Sequence, residues 1–275
     1  MSLLFSNYTL GSPRGPLTLS NRIVVAPMCQ YSAVNGEATD WHLMHWGNLL
    51  NSGAGLFIIE ATGVTPEARI TPACLGLWDD RTEAALKDKL SRARKLAPAT
   101  PVFIQLAHAG RKASSATPWD GGQLLSVDQG GWETLAPSAI PQLDGERMPH
   151  ELSTQELGAL IEAFVLAAQR ADRIGLDGIE LHGAHGYLLH QFLSPMANQR
   201  TDAYGGSFEN RIRLLCEIAS EIRLIVPSSH ALFVRISATD WIEGGWDVEQ
   251  SIQLVRRTFY SRSLHSTILI SFQLV

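Results

Sequence analysis

Five short runs of almost uninterrupted apolar residues alternate along the chain with stretches of helical periodicity. Strands that are buried on both faces of a parallel sheet have this character. The strand-like runs cover residues 22–27, 56–61, 102–107, 178–182 and 232–237. The helical stretches cover about 40–52, 80–97, 154–174, 207–225 and 247–259. Regular alternation of strand and helix predicts an α/β fold with a mainly parallel sheet.

Two architectures fit this alternation, a doubly wound sheet and a closed βα barrel. The first run ends in Ala26-Pro27-Met28 rather than in a glycine-rich turn, which disfavours a dinucleotide-binding doubly wound fold. Polar residues follow the carboxyl ends of the runs, where a βα barrel builds its chemistry. These residues are Cys29, Thr62, His108, His182 and Arg235 with Ser237. We therefore predict a TIM (β/α)8-type barrel, incomplete at the C-terminus, with about five to six βα units present.

Two segments depart from the alternation. Residues 111–152 are rich in Gly, Pro and Ser, and we predict a functional excursion on the catalytic rim with a small hairpin. After residue 257 only a sixth strand near 268–272 continues the pattern. The sequence thus predicts one barrel domain over 1–257 and a divergent tail over 258–275.

Composition excludes several classes of protein. A hydrophobic content of 45% with 18% charged residues is that of a globular chain and not of a disordered one. The net charge of -5 argues against a nucleic-acid partner, and the lack of an 18-residue apolar stretch argues against a membrane partner. Three sparse cysteines and an N-terminus without signal-peptide character predict a reducing, cytoplasmic location.

The most distinctive polar cluster is His182, His185 and Tyr187, which begins where the fourth run ends. Two imidazoles three residues apart in a turn can both donate hydrogen bonds to one carbonyl or phenolate oxygen. The tyrosine adds a weak acid. Two alternatives remain open from the residues alone: ordinary packing histidines beside a packing tyrosine, and a metal site built on the HxxH spacing.

Four further residues are candidates for contact with a ligand. Cys29 and Tyr31 lie just past the first run, although a lone cysteine is often a small buried hydrophobe. Gln105 and Arg235 lie inside strand-like runs, where buried polar and charged groups need partners. They are either ligand-binding groups or members of a core network, with Arg235 then paired to Glu60 or Glu180.

Several ordered motifs resemble the Old Yellow Enzyme family of NADH:flavin oxidoreductases. They are PMCQY at 27–31, EAT at 60–62, QLAHAGRK at 105–112, HGAHGYL at 182–188 and RTDAYGGSFENR at 200–211. The pair Cys29 and Tyr31 is similar to the thermophilic-type, xenobiotic-reductase-like class. The resemblance runs from about residue 3 to residue 257.

The resemblance implies an eight-stranded βα barrel that holds FMN at its C-terminal mouth and uses NADPH or NADH as the hydride donor. It implies an ene-reductase that reduces the C=C bond of an α,β-unsaturated carbonyl compound, a small-molecule enone or enal. Its implied catalytic residues are Tyr187 as proton donor, with His182 and His185 holding the substrate carbonyl and Tyr31 lining the pocket. The implied FMN contacts are Ala26, Pro27, Met28, Cys29, Ala61, Gln105 and Arg235.

Members of the family continue for about three more βα units, which supply the flavin-phosphate site and a contact between subunits of a homo-oligomer. This chain is expected to lack those elements, and the protein is therefore expected to bind FMN poorly. Two alternatives to the ene-reductase are therefore a non-catalytic truncated barrel and a metal-dependent barrel hydrolase that uses His182 and His185.

Overall fold

The computed structural model describes residues 2–10, 16–97, 100–226, 231–260 and 268–273. Its main feature is a six-stranded parallel sheet in the order β10-β9-β8-β5-β4-β3. The N-terminal strands β1 (Tyr8–Leu10) and β2 (Leu17–Leu19) form a separate antiparallel pair. The parallel strands are β3 (Val24–Val25), β4 (Leu56–Gly63), β5 (Val102–Ala107), β8 (Gly178–Gly183), β9 (Ala231–Ser237) and β10 (Ile268–Gln273).

The order of these strands distinguishes the two architectures that the sequence allowed. Each parallel strand pairs with the next parallel strand along the chain, and the order never reverses. A doubly wound sheet contains a reversal, whereas a barrel wall is wound in one direction. The predicted barrel-type sheet with five to six units is confirmed, and β10 is the predicted sixth strand.

Five helices match the predicted helical stretches to within about two residues at each end. They are α1 (Asp40–Leu50), α2 (Asp80–Leu96), α3 (Thr154–Ile174), α5 (Phe208–Ile225) and α6 (Val248–Tyr260). A short helix that the sequence did not predict, α4 (Leu188–Leu193), follows the histidine cluster. The strand expected over 22–27 is only two residues long, and Pro27, which has no N–H for the ladder, lies two residues beyond its end.

The two faces of the sheet carry different side chains because successive residues of a strand point in opposite directions. The outer face packs against the helices in one large apolar core that includes Ile104, Leu181 and Phe164. On the inner face, Ile58, Phe103 and the half-buried Phe233 pack with the β1–β2 pair. The inner face is therefore closed by apolar side chains at the amino ends of the strands.

Polar side chains replace the apolar ones on the inner face towards the carboxyl ends of the strands. Two residues beyond Ile58, Phe103 and Phe233 come Glu60, Gln105 and Arg235. On β8 the same face carries Glu180 and His182, which pair in register with Gln105 and Arg235. This change from apolar to polar along one face places the candidate site at the carboxyl end of the sheet.

The excursion over 111–152 contains little regular structure. Its strands β6 (Leu135–Ala136) and β7 (His150–Glu151) form a two-residue parallel pair. A single antiparallel bridge joins Ser115 to Leu124. The Ala116 N–H donates to the Gln123 carbonyl at 2.8 Å and the Leu125 N–H donates to the Ser114 carbonyl at 2.7 Å, so this bridge is the described counterpart of the small hairpin expected from the sequence. Strands β6 and β7 instead run in the same direction across a 13-residue connection. Within the described residues, no helix has the length and apolar character to cross a membrane.

We expect the Ser153→Ala substitution to lower the free energy of unfolding by about 1 kcal/mol, because it removes the N-cap of α3. Ser153 Oγ accepts a hydrogen bond from the Glu156 N–H at 3.3 Å, and Glu156 Oε2 accepts one from the Ser153 N–H at 2.7 Å. Urea denaturation monitored by circular dichroism measures the change. Ser91→Ala, at an exposed position inside α2, is the control and should be neutral or slightly stabilising. Equal effects of the two substitutions would contradict this role for Ser153.

Candidate active site

Three aromatic rings meet at the carboxyl end of β8. The rings of His182 and His185 lie 4.9 Å apart between centroids, at 80° to each other. The Tyr187 ring lies 4.8 Å from the His182 ring and 6.3 Å from the His185 ring, again edge to face. The three residues thus form one compact aromatic cluster with several polar atoms.

The backbone of the turn holds this cluster in a defined position. His185 has φ of 60° and the following Gly186 has φ of 72°, so two consecutive residues lie in the left-handed region. The His185 N–H donates to Ser237 Oγ at 3.0 Å, and the His185 carbonyl accepts from Lys112 Nζ at 3.0 Å. A left-handed conformation is uncommon for a residue other than glycine, and here contacts from β9 and from the excursion hold it in place.

The hydrogen bonds of His182 define its protonation state. The Ala184 N–H donates to His182 Nδ1 at 3.3 Å, so Nδ1 carries no proton and Nε2 carries it. Burial, with the nearby charge of His185 and then of Arg235, holds the pKa of His182 well below its usual range. His182 is therefore a neutral donor at pH 7, and its Nε2–H is free to bind an acceptor oxygen.

Tyr187 lies at the start of α4 and contacts Lys112 as well as the histidines. Burial raises the pKa of the Tyr187 hydroxyl, and the neighbouring Cys29 thiol and Tyr31 hydroxyl raise it further. The hydroxyl is thus fully protonated at neutral pH. Lys112 Nζ lies 5.2 Å from the centroid of the Tyr187 ring, a cation–π contact on its face.

A cavity of about 400 Å³ opens beside this cluster, and Tyr187, Lys112 and Tyr31 line it. The excursion supplies most of the remaining wall, and the Trp119 ring packs edge to face against Tyr31 with centroids 5.7 Å apart. The excursion therefore lies on the rim of the site, as the sequence predicted.

The inner face of the sheet next to the histidines carries a polar ladder. Gln105 Nε2 donates to Glu180 Oε1 at 2.8 Å, and both side chains are buried. Burial raises the pKa of Glu180, while the Gln105 hydrogen bond and the positive charge of Arg235 oppose that rise. The sequence offered Glu60 and Glu180 as possible partners of Arg235. Of these two, Glu180 lies close enough to Arg235 for the charge of Arg235 to affect its pKa.

Cys29 connects the first strand to this site. Its thiol lies near the Cys74 thiol and the Ala61 backbone. The neighbouring Cys74 and burial raise the pKa of the Cys29 thiol. Burial raises the pKa of the Tyr31 hydroxyl, and Cys29 is among the neighbours that raise it further. The structure thus brings Cys29, Ala61 and Tyr31 together beside Tyr187.

The residues before Cys29 lie at the exposed side of the sheet. Ala26 and Met28 are exposed and Pro27 is half-buried. The Met28 carbonyl accepts from Gln30 Nε2 at 2.8 Å, and the Gln30 N–H donates to Glu60 Oε1 at 3.2 Å. These bonds fix the segment against β4 while leaving the side chains of Ala26 and Met28 uncovered.

Sequence reasoning missed three contributors to this site. Lys112 is one of them, because its side chain donates a hydrogen bond to the His185 carbonyl. Cys74 had no recognisable motif, and only the fold brings it to Cys29. Asp240 accepts from His190 Nε2 at 2.7 Å, while the Gly186 N–H donates to His190 Nδ1, so Asp240 supports the turn. None of these long-range contacts leaves a local signal in the sequence.

The geometry gives the HxxH spacing no further metal ligands. Among the residues that the structure describes, no group of three or more His, Cys, Asp or Glu side chains could hold a metal ion. The Nδ1 atom of His182 already accepts a backbone hydrogen bond.

Comparisons with known proteins agree with this arrangement. The model of the NADH:flavin oxidoreductase / NADH oxidase family matches residues 4–261. An NADH:flavin oxidoreductase of Gibberella zeae is 46% identical over 254 residues, which are 87% of this chain and 61% of that relative. The NADPH dehydrogenase of Halalkalibacterium halodurans is 43% identical over 92% of this chain and 68% of its own length. The chain therefore spans about three fifths to two thirds of these relatives.

Solved structures show the same fold. Old Yellow Enzyme from Pichia sp. AKU4542 superimposes with a TM-score of 0.81 at 27% identity, over 98% of this chain and 70% of that chain. Morphinone reductase in complex with tetrahydroNAD superimposes with a TM-score of 0.77 at 28% identity, over 99% of this chain and 74% of that chain.

Proposed function

The chain belongs to the NADH:flavin oxidoreductase / NADH oxidase family, and from that membership we propose that its site reduces the C=C bond of α,β-unsaturated carbonyl compounds with FMN and NAD(P)H. The observation that carries the proposal is the cluster of His182, His185 and Tyr187 beside a cavity of about 400 Å³. It combines the neutral N–H donor of His182 and the imidazole of His185, which suit a carbonyl oxygen, with the protonated hydroxyl of Tyr187, which suits proton transfer to carbon.

The residues around the sheet fit a flavin. An isoalloxazine ring has an apolar face and an edge of alternating hydrogen-bond donors and acceptors. Ala26 and Met28 offer uncovered apolar side chains, and Gln105 offers a buried amide. Arg235 offers a cation on the same inner face, which suits an edge that becomes more negative on reduction. We assign these residues, with Pro27, Cys29 and Ala61, to the FMN site.

FMN, when bound there, would accept hydride from NAD(P)H and deliver it to the β-carbon of the substrate. The chain would supply orientation and charge stabilisation. His182 Nε2–H and the imidazole of His185 would donate to the carbonyl oxygen, on which negative charge builds. Preorganised donors of this kind contribute about 3–4 kcal/mol each when well aimed. Tyr31 would line the opposite wall.

Tyr187 would complete the reaction by giving its proton to the α-carbon. Its hydroxyl is protonated across the neutral range because burial and nearby thiols raise its pKa. Lys112 holds the His185 carbonyl and contacts the Tyr187 ring, so one side chain positions both groups.

Free thiols at Cys29, Cys74 and Cys216 suit a reducing, cytoplasmic location.

The test is to purify the protein, record its visible absorbance and follow NADPH and NADH oxidation with 2-cyclohexenone as substrate. FMN is supplied in excess, because this chain is expected to bind it weakly. We then expect flavin absorbance and formation of cyclohexanone, identified by gas chromatography. Absence of bound flavin after supplying FMN would refute the proposal and support the non-catalytic alternative. Hydrolase activity dependent on added metal would instead support the metal-site alternative.

A further inference from the structure

Two neighbouring cations line the cavity beside the aromatic cluster. Arg111 and Lys112 lie in a short 3-10 turn over Gly110–Lys112, shortly after β5. Both are half-buried, and both line the cavity of about 400 Å³. Among the described residues of the cavity wall, Glu146 is the one carboxylate, and its Oε2 accepts from the Leu143 N–H at 3.0 Å. The wall therefore carries two positive charges and one negative charge.

The hydrogen bonds of the two cations go to neutral acceptors. Arg111 Nη1 donates to the Ile140 and Pro141 carbonyls at 3.3 and 3.2 Å, and its Nε is buried without a partner among the described residues. Lys112 Nζ donates to the His185 carbonyl at 3.0 Å. In the described part of the chain, neither side chain forms an ion pair with a carboxylate. Partly buried cations without a carboxylate partner favour an anion supplied by a ligand.

We propose that Arg111 and Lys112 form an anion-binding subsite of this cavity, which selects substrates that carry a carboxylate in addition to the unsaturated carbonyl group. The proposal rests on the proposed function, because it concerns the substrate of the same cavity. It adds a chemical class, the unsaturated oxo acids, which the family membership does not specify.

The subsite lies at a fixed position relative to the proposed proton donor. Lys112 Nζ is 5.2 Å from the centroid of the Tyr187 ring. Gln191 Oε1 accepts from the Arg111 N–H at 3.3 Å, and Gln191 Nε2 donates to the Gly186 carbonyl at 2.7 Å. Gln191 thus joins the turn that carries the cations to the turn that carries the aromatic cluster. One small substrate can therefore reach both turns.

The electrostatics of the pair suit a bound carboxylate. Burial lowers the pKa of Arg111, and burial together with the charge of Arg111 lowers the pKa of Lys112. Each cation therefore disfavours the charge of the other, and an anion beside both would oppose this effect. Carboxylic acids have a pKa of about 4 and are ionised at neutral pH. The planar guanidinium of arginine matches the two oxygens of a carboxylate.

Calorimetric titration with 4-hydroxybenzoate and its methyl ester tests the subsite without turnover. The two ligands share a phenol and differ in charge, and each is titrated into the protein with and without excess FMN. We expect the acid to bind about 10–100-fold more tightly than the ester, as one charge-assisted interaction predicts. Added NaCl should reduce this advantage. Arg111→Gln should remove most of it, and Arg111→Lys should restore part of it.

A matched control separates the subsite from general loss of charge. Arg147 is an exposed arginine of the same excursion, and its Nη2 donates to the Trp132 carbonyl. Arg147→Gln removes one positive charge outside the cavity wall and should leave the preference for the acid unchanged.

Turnover gives a second measurement with a matched pair of substrates. In Arg111→Gln, we expect the KM for 4-oxocyclohex-2-ene-1-carboxylate to rise about 10–100-fold, while kcat changes by no more than a few-fold. The KM for the methyl ester of this compound should change much less, because the ester lacks the charge.

The outcomes distinguish this proposal from the proposed function. Equal affinity of the parent protein for 4-hydroxybenzoate and its ester would overturn the proposal even if Arg111→Gln fails to fold. Equal losses for acid and ester in Arg111→Gln would overturn it by showing that Arg111 only supports the excursion. Loss of affinity for NADP+ alone would assign the cations to the phosphates of the hydride donor and would also overturn it. An Arg111-dependent preference for the acid, without reduction of any enone, would support the subsite and refute the proposed function.

Discussion

The Tyr187→Phe variant should complete substrate reduction about 10²–10⁴-fold more slowly than the parent protein, because that range is the usual contribution of a positioned proton donor. The substitution removes only the hydroxyl, so the ring can keep its edge-to-face packing on His182 and its contact with Lys112. Binding of NAD(P)H and the first half of the reaction do not use this proton, and their rates should change by no more than a few-fold.

Stopped-flow absorbance separates the two halves of the reaction. The flavin is first reduced with NADPH, and the reduced protein is then mixed with 2-cyclohexenone in a second experiment. Tyr204→Phe is the matched control, because it makes the same chemical change at a hydroxyl that bonds to Glu217, away from the cluster. Equal slowing of both halves by Tyr187→Phe would show that Tyr187 shapes the site rather than donates the proton.

Much of the fold was predictable from local sequence. Apolar runs of strand length define β4, β5, β8 and β9 because strands buried on both faces need apolar side chains throughout. The bounds of α3 follow from the capping pair of Ser153 and Glu156 and from a left-handed glycine after its last turn. The sequence also predicts where the candidate site lies, because polar residues that follow parallel strands converge at one edge of the sheet.

What could not be predicted depends on contacts between distant segments. The pairing of Gln105 with Glu180 depends on the register between β5 and β8, which cannot be read from the sequence of either strand alone. The contact of Cys29 with Cys74 requires the loop after β4 to return to the first strand. The two-residue length of β3 could not be predicted either, because residues 22–27 read as a full strand.

Residue chemistry alone also left the role of the histidine pair open between packing, metal binding and oxygen binding. The backbone hydrogen bond to His182 Nδ1 removes one metal-binding lone pair and fixes the proton on Nε2. Burial keeps the ring neutral by lowering its pKa. A neutral donor beside a second imidazole is suited to an oxygen that gains negative charge, and a phenolate is a stable mimic of such an oxygen.

Replacing His182 and His185 together with Ala should therefore weaken the binding of phenols by about 10²–10⁴-fold. Two lost charge-assisted hydrogen bonds at about 1.5–3 kcal/mol each give that range, since 1.4 kcal/mol is tenfold in affinity. Titration of the long-wavelength absorbance that phenols produce with a bound flavin measures the affinity. Because burial lowers the pKa of His182, its ring stays neutral as pH rises from 6 to 8, and His182 should add no pH dependence of its own to phenol binding in the parent. His182→Asn with His185→Asn keeps an N–H donor at each position and should retain part of the affinity, while His150→Ala, on an exposed side chain outside the cluster, should retain all of it. Unchanged phenol affinity in the double Ala variant, with flavin still bound, would place the oxygen-binding site on other residues.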